Sequence, residues 1–341
     1  MKQILIKTLI VLIGIVAFTH ASEDTHGKFS GLVFGDYYYV VSNHNPSIKN
    51  ANGFWIRRIY FTYDKPLSKA FTIRLRMEMS HPGDFQTKAA PVPFVKDAYL
   101  KYQHGNHAFF FGISPTPMFT VIEKIWGYRP VEKTPLDLQK FSSTREMGFA
   151  IKGSLDREKQ IRYHVMIGNG NSNKSETDQG KKISLSLGYY SAHNFLIVLD
   201  GEYNDLPGQT DWYTAQILAG YVAPQFRLGL QFARQTRQQG TLGNKNLDIA
   251  SFFVAGQLSK HLNAFFRTDR MFSPNPAGNQ IAYLPFDPSA ASTFFVTGID
   301  WTPIANVHFM PNVEAVTYDA NSSGQRPTND LMPRLTFYYK F

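Results

Sequence analysis

About sixteen stretches of this chain alternate apolar and polar side chains at a period of two, the repeat of a strand with one apolar face. In FTIRLRMEMS, Phe71, Ile73, Leu75, Met77 and Met79 share one face, while Thr72, Arg74, Arg76, Glu78 and Ser80 share the other. QIRYHVMIG sets Ile161, Tyr163, Val165 and Ile167 against Arg162, His164 and Met166. KISLSLGYY sets Ile183, Leu185, Leu187 and Tyr189 against Lys182, Ser184, Ser186 and Gly188. FRLGLQFAR repeats the pattern, and RLTFYYKF carries it to the last residue, Phe341. Strands are predicted near 28–42, 54–66, 69–81, 93–104, 106–113, 146–155, 159–170 and 181–191. A second set follows near 194–203, 210–222, 225–236, 246–258, 260–271, 292–302, 304–317 and 330–341. Alternation alone does not say whether the apolar face meets a protein core or lipid.

The connections discriminate. PLSK, HGN, DREK, AHN, APQ, SKH and PIA are short, and they alternate with long links that include 82–92, 114–145, 171–180, 237–245, 272–291 and 318–329. Turns at one end and loops at the other are the arrangement of an outer-membrane barrel, whereas a soluble sandwich has no reason to segregate them. An even strand count puts both termini at the short-turn end. Aromatics make up 15% of a chain that is polar on average, as expected of a polar lumen, an apolar belt and aromatic rims. Cysteine is absent, so disulfides contribute nothing. The fold class implied is all-β, a transmembrane antiparallel barrel of about 16 strands. Phe341 then closes the last strand against the first, near GKFSGLVFGDYYYVV, and removes both edges. A terminal aromatic there resembles the signal read by outer-membrane assembly machinery.

At the other terminus, Lys2 and Lys7 precede an apolar run from Thr8 to Phe18 and the small-residue stretch Thr19-His20-Ala21. The pattern is that of a signal peptide over 1–21, cleaved to leave a barrel domain over 22–341 in the outer membrane of a Gram-negative bacterium. The run is too short to cross about 30 Å of hydrocarbon as a helix.

A barrel of this size leaves an aqueous channel. Its longest link, 114–145, carries Phe119, Val121, Ile122, Ile125 and Trp126, which need burial, so this third long loop is expected to fold into the lumen. FVKDAYLKYQHGNHAFFFGISPTPMF, STREMGFAIKG and MIGNGN together resemble the phosphate-selective porin O/P family. The resemblance rests on Asp97-Ala98-Tyr99, the Gly-x-x-x-x-Pro lead from Gly112 to Pro117, and Arg145-Glu146-Met147-Gly148. It implies a sixteen-stranded, trimeric, general or anion-preferring pore for small hydrophilic solutes, with no cofactor.

Members selective for phosphate line the channel with arginines and lysines. The wall candidates here are Arg58, Arg74, Arg76, Lys101, Lys152, Arg162, Lys182, Arg227, Arg267 and Arg334, and the loop adds Lys124, Arg129, Lys133 and Lys140. Of these, the four loop residues with Arg74, Arg76, Lys152, Arg162 and Arg267 are the expected constriction and selectivity set. Carboxylates interrupt the ladder: Glu78, Asp97, Asp200, Glu202, Asp269, Asp300 and Glu314 on strands, Glu123, Glu132 and Asp137 on the loop. Without Lys2 and Lys7, 33 basic residues face 26 acidic ones, a balance of +7 that favours anions modestly. A transverse field between basic and acidic walls fits the mixture equally well.

An enzyme on the same barrel, a lipase or protease, would need a nucleophile, a base and an orienting group at a strand end, and no such grouping recurs. His164 and His308 read as lumen-wall residues. A non-conducting structural or adhesive barrel is the remaining alternative. Nucleic acid is not an expected partner, because the basic residues alternate along strands and form no outer stripe. Neither a metal-ligand cluster nor a phosphate-cradling glycine loop is present in the sequence.

Overall fold

A computed structural model describes residues 26–341; the leader expected over 1–21 lies outside them. The strands in chain order are β1 (Lys28–Tyr39), β2 (Asn52–Pro66), β3 (Phe71–Ser80), β4 (Val92–His104), β5 (His107–Pro115) and β6 (Arg145–Ser154). Next come β7 (Ile161–Gly168), β8 (Lys182–Tyr190), β9 (Phe195–Asn204), β10 (Trp212–Val222) and β11 (Phe226–Gln238). β12 (Asn244–Ser259), β13 (Leu262–Met271), β14 (Ser292–Ile304), β15 (Val307–Tyr318) and β16 (Asp330–Lys340) complete the wall. Each strand pairs antiparallel with its sequence neighbours, and β1 pairs with β16, giving one closed sheet. Short turns gather at one end and long loops at the other, so a 16-strand barrel with segregated connections is what the alternation produces.

The outer face is an apolar belt. Leu75, Ile183, Leu185, Leu199, Ile217 and Leu230 are each about half exposed, and Phe111 is 71% exposed. Aromatic pairs such as Phe71–Tyr102, Phe195–Tyr221 and Trp301–Phe309 sit toward the short-turn rim. At the seam, the Gly31 N–H donates to the Phe341 carbonyl at 2.8 Å and the Phe341 N–H donates back at 3.0 Å. The Phe341 ring fills the space that a Cβ at Gly31 would occupy. A strand that stops on an aromatic therefore completes both the ladder and the cover over a side-chain-free position.

Four register steps interrupt strict alternation among the described residues, and two of them lie in the cationic wall. In β2 the register steps from Phe34 opposite Arg58 to Gly35 opposite Ile56, leaving Arg57 as the extra residue. In β4 it steps from Arg76 opposite Asp97 to Met77 opposite Val95, leaving Lys96 as the extra residue. A bulge turns two successive side chains the same way. Arg57 and Arg58 both face inward as a result, and so do Lys96 and Asp97, as their partners show below.

Candidate functional site

The long link between β5 and β6 forms two helices, α1 (Pro117–Trp126) and α2 (Pro135–Leu138). Proline opens each helix, where its missing N–H costs nothing, and Gly127 ends α1 in the left-handed region at φ +69°, donating to Glu123 O. α1 touches β7 to β12. Met118, Phe119, Ile122, Ile125 and Trp126 are each at most 4% exposed, while Val121 is only partly covered.

Inward-facing side chains hold this segment by its backbone. Gln216 Nε2 donates to Met118 O at 2.7 Å, Gln235 Nε2 to Phe141 O at 2.5 Å, and Arg57 Nη1 to Val131 O at 2.7 Å. Arg267 Nη1 donates to Lys133 O, and Asn275 Nδ2 to Gln139 O at 2.9 Å. Within the segment, the Trp126 indole N–H donates to Glu132 O at 2.9 Å.

The wall behind these anchors is apolar. Val198, Leu218, Phe253, Phe265, Phe294, Val296, Met310 and Met332 point inward and join Ile122, Ile125, Trp126, Tyr128, Val131 and Leu138 in one buried cluster. Ile281, Leu284 and Phe286, from the 272–291 loop, enter the same cluster. A smaller cluster packs Met118, Phe119, Leu136 and Phe141 on Ala233, Leu247, Ile249 and Met271. Most of the interior beside β9 to β16 is therefore a packed core, with a polar cavity of about 290 Å³ left at its short-turn end among Arg227, Asn263, Asp300 and His308.

At its edge lies a fully covered charge network. Arg57 pairs with Asp36 at 3.3 Å and with Glu132 at 3.0 Å, while Arg334 pairs with Asp36 at 3.0 Å and with Glu314 at 2.8 Å. Burial opposes the charge on Glu132, but Arg57 and Lys133 outweigh it and hold the carboxyl down at about 2.

The interior beside β2 to β8 differs. Arg74 grips Asp64 through two hydrogen bonds of 2.7 and 2.9 Å, and Arg76 reaches Thr62 at 2.8 Å and Asp97 at 3.3 Å. Arg145 also bonds Asp97, Arg58 bonds Glu78, and Lys96 meets Glu78 at 3.0 Å. From the loop, Arg129 lies 3.4 Å from Asp137. Lys133 is pushed down to about 8 by burial, and burial raises the Glu123 carboxyl.

Lys101, Lys124, Lys152, Lys159 and Arg162 make no ion pair within 4 Å of a carboxylate among the described residues, and Arg162 acts on Asp156 of the adjoining turn only at longer range. Instead, Lys152 Nζ lies 4.5 Å over the Phe110 ring, Arg162 stacks 4.2 Å over Tyr190, and its Nε donates to Lys159 O at 2.8 Å. Lys124, Lys152, Lys159 and Arg162 line one cavity of about 480 Å³ at the short-turn end, between α1 and the wall.

Of the nine cations singled out from the sequence, Lys124, Lys152 and Arg162 thus share this cavity. Arg74, Arg76, Arg129 and Lys133 border the polar half above it. Lys140 is half-buried, with its charge disfavoured by burial, and its carbonyl accepts from Arg237 at 3.4 Å. Arg267 departs from expectation. It is fully buried, bonded to both Asp269 oxygens and stacked 5.2 Å over Trp126, so it fastens the loop and lines no hydrated passage.

Arg334 and Lys182, also read as lumen cations, are covered too; Lys182 lies 3.4 Å from Glu146 and 3.5 Å from Glu202. Ser184 faces inward but is buried, donating to Glu202 at 2.8 Å. Arg57 and Lys96 escape a strict period of two because of the bulges. A basic residue on an otherwise apolar face was their signal.

Two imidazole–carboxylate pairs lie elsewhere. His44 Nδ1 is 3.0 Å from Asp330 and 3.3 Å from the Tyr318 hydroxyl, and His308 Nδ1 is 2.8 Å from Asp300 and 3.2 Å from the Thr302 hydroxyl. In each, hydroxyl and carboxylate meet the same ring nitrogen, so the ring relays nothing between them as a catalytic triad would.

Similarity to solved structures follows this geometry. The anion-selective porin of Comamonas acidovorans superposes with a TM-score of 0.67 at 11% identity, covering 93% of this chain and 100% of that one. The fold is that of the outer-membrane porins. The outer membrane channel DcaP of Acinetobacter baumannii gives 0.66 at 12%, covering 96% of this chain and 100% of that one. Salmonella typhi OmpF in complex with daunomycin gives 0.64 at 11%, covering 92% of this chain and 97% of that one. No protein-family model and no curated relative matches the sequence.

Proposed function

We propose that the chain is an outer-membrane porin: a water-filled channel through which small hydrophilic solutes and ions diffuse, with a modest preference for anions. The observation that carries the reading is the asymmetry of the polar half. Twelve cations (Arg58, Arg74, Arg76, Lys96, Lys101, Lys124, Arg129, Lys133, Arg145, Lys152, Arg162 and Lys182) stand there against six carboxylates (Asp64, Glu78, Asp97, Glu123, Asp137 and Glu146). In a confined passage between low-dielectric walls, that surplus raises the local concentration of anions.

On this reading the apolar belt faces outer-membrane lipid, and residues 117–143 narrow the channel against β2 to β6. Assembly machinery reads the terminal Phe341, the leader is removed at export, and three copies form the working unit. A phosphate-selective channel of the O/P type is the finer form of the reading, supported by the motifs around Asp97, Gly112 and Arg145. The apolar belt also favours a membrane setting over a soluble one, because a soluble monomer rarely exposes so large a patch.

Single-channel recording in planar bilayers, with reversal potentials across a potassium chloride gradient, tests the proposal. Stepwise conductance with a chloride-favouring reversal potential is expected. A refolded barrel that carries no current would sink it in favour of a structural or adhesive barrel.

A further inference from the structure

The interior cations divide by partner. Arg58, Arg74, Arg76, Lys96 and Arg145 each lie against a carboxylate, so most of their field is spent locally. The four around the short-turn cavity do not. Their counter-charges are absent from its lining, which otherwise consists of neutral groups such as Gln103, Asn106, Thr120, Ser154, His164 and Tyr190. Like charges held together without a counter-ion repel, and such a cluster persists when something of opposite sign completes it.

Two of the cations are positioned rather than loose. The Arg162 guanidinium lies 4.2 Å over Tyr190, with Nε spent on Lys159 O, so its terminal nitrogens are left for a planar oxyanion. Lys152 is held over Phe110. Size then selects among anions. A volume of about 480 Å³ is room for about sixteen waters at about 30 Å³ each, in the range of pockets that enclose organic molecules. A single small ion there would keep its hydration shell and stay screened from most of the four charges.

We propose that this cavity is a saturable binding site for an organic oligoanion, a solute with two or more carboxylate groups on a carbon body, which Lys124 and Lys152 engage on one side and Lys159 and Arg162 on the other. The site retains its ligand at the short-turn mouth after passage, and that transport role rests on the proposed pore.

Citrate is the probe, with inorganic phosphate for comparison. Titration calorimetry on the refolded full chain in detergent at about 0.1 M salt reads binding without any need for current. Wild type should bind citrate saturably and at least about tenfold more tightly than phosphate. In K152Q/R162Q citrate affinity should fall at least about tenfold, as loss of two charge-assisted contacts implies. K181Q, in the 169–181 loop and paired with Glu176, should leave it unchanged. In bilayers, citrate added on the short-turn side should block chloride current in wild type and much less in the double variant. Equal affinity for citrate and phosphate, or citrate binding unaltered in the folded double variant, would overturn the site. Binding intact without any conductance would overturn the pore instead and leave the site standing.

Discussion

The two halves of the interior obey opposite rules. Beside β9 to β16 the wall turns Phe253, Phe265, Phe294 and Met310 inward, and the 117–143 segment and the 272–291 loop cover them as a helix covers a sheet in a soluble domain. Arg267 and Arg334 there are paired with carboxylates and sealed. Beside β2 to β8 the wall is cationic, partly paired and partly exposed. One sheet thus serves as scaffold for a plug on one side and, on the proposed function, as bank of a passage on the other. The difference teaches that pointing inward is not the same as lining a channel: Arg267 and Arg76 both face the interior, and only Arg76 is left open to it.

The largest test of that division removes anchors from the filled half. Trp126→Ala should cost about 3–5 kcal/mol, since an indole with no exposed surface leaves a cavity. Arg334→Ala should cost a similar amount by stranding Asp36 and Glu314 as buried charges. In the open half, Lys101→Ala should stay within about 0.5 kcal/mol. Urea midpoints of the refolded barrel, with protease sensitivity of 117–143 as a local readout, measure all three. Similar losses at Trp126 and Lys101 would erase the distinction.

A somewhat smaller effect separates the two faces of the open half. Leu75 is 46% exposed on the outer belt, and Leu75→Arg should destabilise by about 2–4 kcal/mol if it sits at mid-membrane. Thr72→Arg, inward on the same strand, should be mild. Ser184→Arg should not be mild, because Ser184 is bonded to Glu202 under the loop. Folded fractions in bilayers report each. A tolerated Ser184→Arg would show that the covered region is looser than its contacts imply.

The architecture was legible because alternation and loop parity follow from physics that acts strand by strand. The division of the interior was legible in part. FLIVL (195–199), SFFVA (251–255) and TFFV (293–296) lose the period of two, as strands covered by apolar groups on both faces must. The bulges at Arg57 and Lys96 were less accessible, since nothing local says which of two adjacent residues takes the extra place. Pairing was inaccessible altogether. Asp64 and Arg74 are neighbours only through register, and Arg267 meets Lys133 only because a segment far away in sequence folds back onto β13.

The seam offers a test of intermediate size, common to both halves. Deleting Phe341 removes two backbone hydrogen bonds and the ring over Gly31, a loss of about 1–3 kcal/mol at about 0.5–1.5 per bond. Export should continue while folded barrel in the outer membrane declines, read by heat-modifiable migration on gels. Undiminished folded protein would mean that the closing residue is dispensable.

The smallest expected effect lies where the two halves meet. Lys133 belongs to the segment fastened by Arg267, yet its side chain borders the open half near Asp137 and Arg129, and burial lowers it from 10.5 to about 8. It therefore carries charge at pH 7 and has largely lost it by pH 9, while arginine side chains stay protonated throughout. Folding responds in the opposite sense. Between about 8 and 10.5 the unfolded chain holds a proton that the folded chain has released, so stability rises with pH across that window. For transport, a unit charge a few ångströms from a permeant ion in water is worth about 1 kcal/mol, a factor of about five at most. The Lys133 share of the anion-over-cation permeability should fall by no more than that factor between pH 7 and 9, and the step should shrink at 1 M salt, where the Debye length is about 3 Å. Lys133→Met should start at the lower ratio and show a smaller step than wild type. If the variant titrates as wild type does, Lys133 faces the sealed side, and the boundary between plug and passage runs on the other side of it.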